Sequence, residues 1–395
     1  MKFEFNDSRY VRMFEESDEG RQIITYLLND PNLIRANYTF WKSIFPADGA
    51  PLPTDKTGRA AVRVEARQPE HATLADWRAP LGGSRLGEEG AGSAYNAGII
   101  DLISLGWQEQ AMEREAKEKL YQEFGGNDAP IILGYATDVL QPRIDSINMS
   151  ISNMAAQALS TGEVVYKGGH NITGPVYKAP VPIDNFTNPK KVFTASDCNI
   201  LEEMVAIEKH YKEDVWGDEN ILLQWDVPYD MIKNVFLKNQ AVIDFIKINW
   251  LADNGQLINQ TSAVPNTVVS LESFNSLVAG RYPGLSPINV ISEKQFQDRT
   301  PVSGWKSGVI TLRPRGYAGR TYRTENLDRY LSEKYGNNII SQIFGSTYDG
   351  LITVCHTTGV NGKYKYWATD VMSSATPILD VFLNMVLVDT TVAKG

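Results

Sequence analysis

Apolar positions recur along the chain with two periods, and the longest run at helical spacing lies before the middle. Ile144, Ile147, Ile151, Met154 and Ala158 are separated by three, four, three and four residues, with Pro142 near the start and Gly162 just past the end. That spacing puts them on one face and predicts a helix over 143–161. Small residues crowd it (Ser146, Ser150, Ser152, Ala155, Ala156), so neighbouring elements can approach closely. Residues 163–166 should leave it as a strand. Upstream, Ala61-Val62-Arg63-Val64-Glu65-Ala66-Arg67 alternates with period two, the pattern of a strand with one polar face. Gly82, Gly83, Gly87, Gly90, Gly92 and Gly98 follow it, and 99–105 is expected to return as the partner strand, so 51–106 reads as a long hairpin excursion. It has too few apolar residues to bury itself and should pack on a neighbour. A charge-rich helix is predicted over 107–124, ended by Gly125-Gly126. Further helices are expected near 198–211, 227–252, 270–279 and 324–335, with strands near 287–292, 307–313, 350–357, 363–368 and 379–391. The sum is a mixed α+β chain without regular βαβ alternation.

The N-terminal 1–50 reads as an arm. Phe14, Ile23, Tyr26, Leu27, Phe40, Trp41 and Phe45 are scattered among charges, which suits helical fragments that need a surface to lie on. Pro46, Gly49, Pro51 and Pro53 then close off regular structure and mark a boundary.

At 395 residues the chain is long enough for two or three domains of about 150 residues. With 43% hydrophobic and 22% charged residues, it falls outside the disordered, collagen-like and coiled-coil classes. Its net charge of −9 argues against wrapping duplex DNA through overall charge. Cys198 and Cys355 are too few for a disulfide framework or a cysteine-ligated zinc, consistent with a reducing compartment. The N-terminus lacks the apolar run of a signal peptide, and no stretch approaches the 18–20 or so apolar residues of a membrane helix, so a soluble, intracellularly made protein is expected.

Motifs for chemistry are sparse. Gly82 to Gly87 has the spacing of a phosphate loop, but Glu88-Glu89 follow where lysine and a hydroxyl are needed, and two carboxylates repel a nucleotide. Ser303-Gly-Trp-Lys306 and Lys56-Thr57-Gly58 match pieces of a penicillin-binding signature in the wrong order, so both read as loops. His71, His170, His210 and His356 have no metal-ligand spacing. Cys355-His356 are neighbours in a predicted strand and face opposite ways, unsuited to a nucleophile and its base. No catalytic residue, metal or cofactor is assigned. Arg313, Arg315, Arg320 and Arg323, interleaved with Tyr317 and Tyr322, form an acid-free basic cluster. It suits either a nucleic-acid patch or ion pairing between subunits of an acidic chain.

RIDSINMSISNMAAQALSTGEVVY (143–166) is similar to the spine helix and following strand of the tailed-bacteriophage major capsid proteins, the Hong Kong 97-type fold, and within it resembles the lambda major capsid protein E family. WGDENILLQWDVPYD (216–230) resembles that family's lead-in to its axial domain, and ITLRPRGYAGRTY (310–322) its C-terminal part. The resemblance implies an N-terminal arm (1–50), an extended loop (51–106), a peripheral domain (107–211) with spine helix 143–161, an axial domain (212–305) and a C-terminal return (306–395). Residues 167–197, rich in glycine and proline, stand as an unassigned insertion, a surface feature or a dock for a decoration protein.

The implied function is structural. Many copies would form hexamers and pentamers of an icosahedral head assembled in the bacterial cytoplasm around double-stranded DNA contacted non-specifically, with a scaffolding protein, a portal and a decoration protein as partners. No membrane partner is implied. Gly82, Gly83, Arg85, Gly87, Glu88 and Glu89, with Arg313, Arg315, Arg320 and Arg323, are the expected intersubunit contacts. An encapsulin-like compartment of the same fold, or an enzyme with an unrecognised site, are the alternatives.

Overall fold

The computed structural model describes residues 39–48, 60–67, 93–100, 103–108, 140–166, 174–253, 271–282, 284–292, 295–297, 300–323, 340–346, 351–361 and 364–394, and the single positions 22, 26, 29, 52 and 123. In chain order the elements are α1 (Trp41–Ile44), β1 (Ala60–Arg67), β2 (Ser93–Ile100), β3 (Ile103–Gln108), α2 (Gln141–Thr161), β4 (Glu163–Tyr166), β5 (Gly174–Lys178) and β6 (Phe186–Thr187). There follow α3 (Ile200–His210), β7 (Leu223–Pro228), α4 (Tyr229–Asn234), α5 (Gln240–Asp253), α6 (Leu271–Arg281), β8 (Ile288–Ile291), β9 (Gln295–Gln297) and β10 (Thr300–Val302). The chain closes through β11 (Val309–Pro314), β12 (Gly319–Arg323), β13 (Ile340–Ser346), β14 (Ile352–Asn361), β15 (Tyr364–Ser373), β16 (Ala375–Leu379) and β17 (Val386–Asp389).

The expected middle helix is α2. Pro142 opens it, and Gly162 ends it at φ 71 with its amide on the Ala158 carbonyl. A Cβ at Gly162 would sit 2.8 Å from Val181 Cγ2, so both backbone and space ask for glycine there. Ile144, Ile147, Ile151, Met154 and Ala158 are all buried. So are Ser152, Ala155, Ala156, Leu159 and Ser160, because strands cover the C-terminal half of the helix on more than one side. Its buried serine stays satisfied locally: Ser160 Oγ donates to the Ala156 carbonyl at 2.8 Å.

Two apolar cores result. One gathers α1, α2, β16 and the 3-10 turn at 382–384, with Trp41, Phe45 and Phe382 fully buried. The other packs α3, α4, α5 and α6 on β7, β8, β11 and β17 around Trp225, Phe193 and Phe236. A five-stranded sheet, β6-β17-β11-β7-β8, lies between them. Alternation divides it: Ile310, Leu312, Val386 and Val388 join the second core, Val309 and Leu387 the first. Thr311 faces α2, and its hydroxyl donates to the Leu159 carbonyl at 2.7 Å. Two further sheets run β1-β2-β5-β4 and β13-β14-β15-β3, and β9–β10 and β12–β16 pair separately.

Several expectations need correction. The partner of β1 is 93–100, in register from Arg67↔Ser93 to Ala60↔Ile100, and 103–108 belongs to a different sheet beside β15. The predicted 99–105 straddles the two because β2 is rich in small and polar residues and carries little alternation. Trp107 and Gln108 close β3 and are not helical; of the rest of the predicted 107–124 helix only Glu123 is described, and it is helical. The 227–252 helix begins as strand and then breaks between α4 and α5. Asn239 takes an extended conformation there, its side chain donating to the Cys198 carbonyl (2.8 Å) and accepting from the Val242 amide (3.3 Å), so capping α5 wins over continuing α4. The expected strand over 379–391 is interrupted by the turn at 382–384. Helix 324–335 lies outside the described residues.

The described part of the glycine- and proline-rich segment, 174–197, pairs with several other elements. β5 pairs with both β2 and β4, β6 runs parallel to β17, and Asn185 Nδ2 donates to the Leu383 carbonyl at 2.8 Å. The end of the arm also finds its surface on its own chain. Residues 44–48 and Leu52 lie beside β12 as an added edge, joined by Ala318 N to Ile44 O (2.9 Å), Thr321 N to Pro46 O (2.8 Å), Asp48 N to Thr321 O (2.9 Å) and Leu52 N to Arg323 O (2.8 Å). Those backbone bonds and the burial of Trp41 and Phe45 need no neighbouring copy.

Candidate functional site

Among the described residues an open cleft of about 600 Å³ lies where the five-stranded sheet meets α6. Register builds its floor. Leu223, Trp225 and Val227 point into the core, so Gln224 and Asp226 lie on the other face, and Thr311↔Asp226 and Arg313↔Gln224 bring Arg313 beside them. Ser43, Leu271, Glu272, Asn275, Asn289 and Arg315 complete the walls.

Beneath the cleft lies a buried ion pair. Arg313 Nε donates to Asp226 Oδ2 at 2.5 Å, with 1% of the arginine side chain and none of the aspartate exposed. Asp226 Oδ1 accepts from Gln224 Nε2 (3.1 Å) and Asn289 Nδ2 (2.8 Å), while Arg313 Nη1 donates to the carbonyls of Gly316 (2.7 Å) and Pro314 (3.1 Å). The Arg313–Asp226 and Asn289–Asp226 bonds tie β11 and β8 to β7, and the remaining bonds stay within β7 and the turn after β11. Asn275 is likewise committed, donating to and accepting from the Ile288 backbone. The floor is braced and contains no nucleophile beside a base.

The four arginines of the basic cluster part company. Arg313 is internal, which corrects its expected place at a subunit contact: in β11 it falls on the inward register and has Asp226 to neutralise it. Arg315 is exposed on the cleft wall. Arg320, 59% exposed, stands between Asp48 Oδ1 (4.0 Å) and Asp380 Oδ2 (3.7 Å). Arg323 is half-buried at the end of β12. Gly82, Gly83, Arg85, Gly87, Glu88 and Glu89 lie outside the described residues. Sequence reasoning missed Asp226 and Asn289, which carry no motif and meet Arg313 only through strand register.

Asp380 is the one carboxylate here with a clearly shifted titration. Burial lifts its pKa to about 6 against the pull of Arg320, with Asp48 adding to the rise. The protonated form is favoured in the folded chain, so this group stabilises the fold fully below the ordinary range near 4, and the contribution is lost as pH rises through about 6. Asp380→Asn should therefore raise the melting temperature at pH 7.5, by about 1–2 kcal/mol of stability after allowance for partial exposure, and flatten the melting profile between pH 4 and 6. Thermal melts of both proteins across that range check it; an unchanged slope would contradict the assignment.

Other candidates dissolve into structure. Ser303 Oγ accepts from the Trp305 amide at 3.1 Å, and Lys306 reaches Asp389 at 3.9 Å while its amide binds Ser160 Oγ, so the segment is a loop docked on α2. Cys355 and His356 are consecutive positions of β14. Among the described residues no group of three His, Cys, Asp or Glu could hold a metal, and no helix is long and apolar enough to cross a membrane.

No family model and no curated protein matches the sequence. Solved structures do match in shape. The crystal structure of an Escherichia coli CFT073 prophage protein, assigned as a capsid protein, superposes with a TM-score of 0.50 at 11% identity, over 93% of this chain and 97% of that one. The capsid of Ralstonia phage GP4 gives 0.40 at 11% identity over 92% and 93%, and that of the Myoviridae phage XM1 gives 0.37 at 10% over 91% and 97%. The chain is thus an α+β protein with the Hong Kong 97-type capsid fold.

Proposed function

We propose that this chain is a major capsid protein, a structural subunit whose copies close into the icosahedral head of a tailed phage around its double-stranded DNA. The observation that carries the reading is the superposition along 93% of the chain on a prophage capsid protein. Nearly the whole molecule, rather than one shared domain, follows a capsid subunit. In this reading α2 is the spine, 212–305 gathers about the local symmetry axes as hexamers and pentamers, and the excursion between β1 and β2 laps a neighbouring copy. The role is carried by assembly, without a cofactor. Scaffold, portal and decoration proteins would be its partners, and the virion its location.

Expression of the chain with and without its neighbouring genes, followed by negative-stain electron microscopy, tests this. Closed shells or capsomer rings are the expected result, with nucleic acid rather than a protein cargo as the packaged content. A uniform folded monomer under both conditions, with no rings at high concentration, would overturn it.

A further inference from the structure

Beyond the last ladder pair of β7 and β11, Pro314↔Leu223, the two strands continue for one more step: the Arg315 amide donates to the Leu222 carbonyl at 2.8 Å. Two exposed apolar side chains flank this rim of the cleft. Leu222 is 72% exposed and Tyr317, just past the turn at Gly316, is 65% exposed. Arg315 is exposed between them, and among the described residues no carboxylate lies within 4.0 Å of its guanidinium, whereas Arg313 has Asp226 and Arg320 has Asp48 and Asp380. An arginine with no counter-ion among the described residues, flanked by an exposed leucine and tyrosine beside a cleft of about 600 Å³, has the composition of an interface anchor.

The chemistry selects the partner. A polyphosphate needs several cations, yet here one arginine stands among apolar side chains, and Glu272 on the cleft wall repels phosphate. A complementary surface must offer a carboxylate to Arg315 and apolar area to Leu222 and Tyr317. With 47 acidic against 38 basic residues, another copy of this chain is such a surface. We propose that the rim Leu222–Arg315–Tyr317, with the cleft behind it, seats a second copy of this chain, one of whose carboxylates pairs with Arg315. The proposal rests on the shell-subunit reading for the presence of many copies, and it specifies where on the subunit one contact falls.

The test uses the full-length protein. Arg315→Glu should keep the wild-type melting temperature, since the side chain is exposed, and weaken self-association in sedimentation velocity by about tenfold or more. Replacing Tyr317 by a photoreactive benzophenone residue should give a covalent dimer on irradiation of assembled material, mapped by mass spectrometry to a peptide of another copy. Shells that form equally well with Arg315→Glu, or crosslinks confined to one chain, would overturn the seam and leave the capsid reading standing. A wild-type protein that stays monomeric at every concentration would overturn both.

Discussion

Asp226→Ala is expected to lower the unfolding free energy by about 3–5 kcal/mol, because it strands a buried charge. Arg313 has 1% of its side chain exposed, and with Asp226 gone its guanidinium keeps only the carbonyls of Pro314 and Gly316. Gln224 and Asn289 lose their acceptor at the same time. The double variant Asp226→Leu with Arg313→Met should recover most of the loss, since a buried ion pair contributes little over an apolar pair of similar volume. Urea titration of the unassembled subunit reads both values, and a cycle over the four proteins gives the coupling. A loss below about 1 kcal/mol for Asp226→Ala would show that water reaches the pair. The variant should also disturb the cleft, because the pair sets the register of β7, β8 and β11 beneath it.

The second large effect is steric. Gly319→Ala should cost about 3 kcal/mol or more, because a Cβ there would lie 1.9 Å from the Ile378 carbonyl oxygen and 2.9 Å from Leu379 Cα. These are backbone atoms of the paired strand β16, so no rotamer change relieves the clash, and β12 would have to separate from β16. That ladder also carries the edge formed by residues 44–48 and Leu52, so the arm's attachment should loosen with it. Gly280→Ala is the control. It lies in α6 with nothing within 4 Å of a new Cβ, and alanine should stabilise the helix by about 0.5–1 kcal/mol. Equal melting temperatures for the two variants would refute the close approach of β12 and β16.

The legible parts of this protein were those whose signal is local. The run Ile144 to Ala158 specified a helix with its stop because side-chain spacing and the Gly162 cap act within a few residues. Alternation at 61–67 specified β1 in the same way. The parts that failed depended on partners far away in the chain. Ser93–Ile100 became a strand because β1 supplies its hydrogen bonds, and 174–197 carries no local sign of its place because its partners, β2, β4 and β17, are spread from residue 93 to residue 389. The arginine cluster shows the limit most plainly. Four arginines within eleven residues read alike in sequence, yet strand register buries Arg313, exposes Arg315 and places Arg320 between two carboxylates.

By itself, then, the sequence determined the long helix before the middle of the chain, the mixed α+β class, the acidic balance and, through the resemblance of 143–166, the capsid fold. The helix, the class and the charge follow from composition or from periodicity within a single element, and the fold from the resemblance alone. The tertiary structure alone decided which charges are internal, how the arm's end docks on its own chain and where an exposed arginine meets exposed apolar residues. Those outcomes depend on long-range pairing, and a register of two-residue period sends neighbouring side chains to opposite faces, which no local pattern in this chain records.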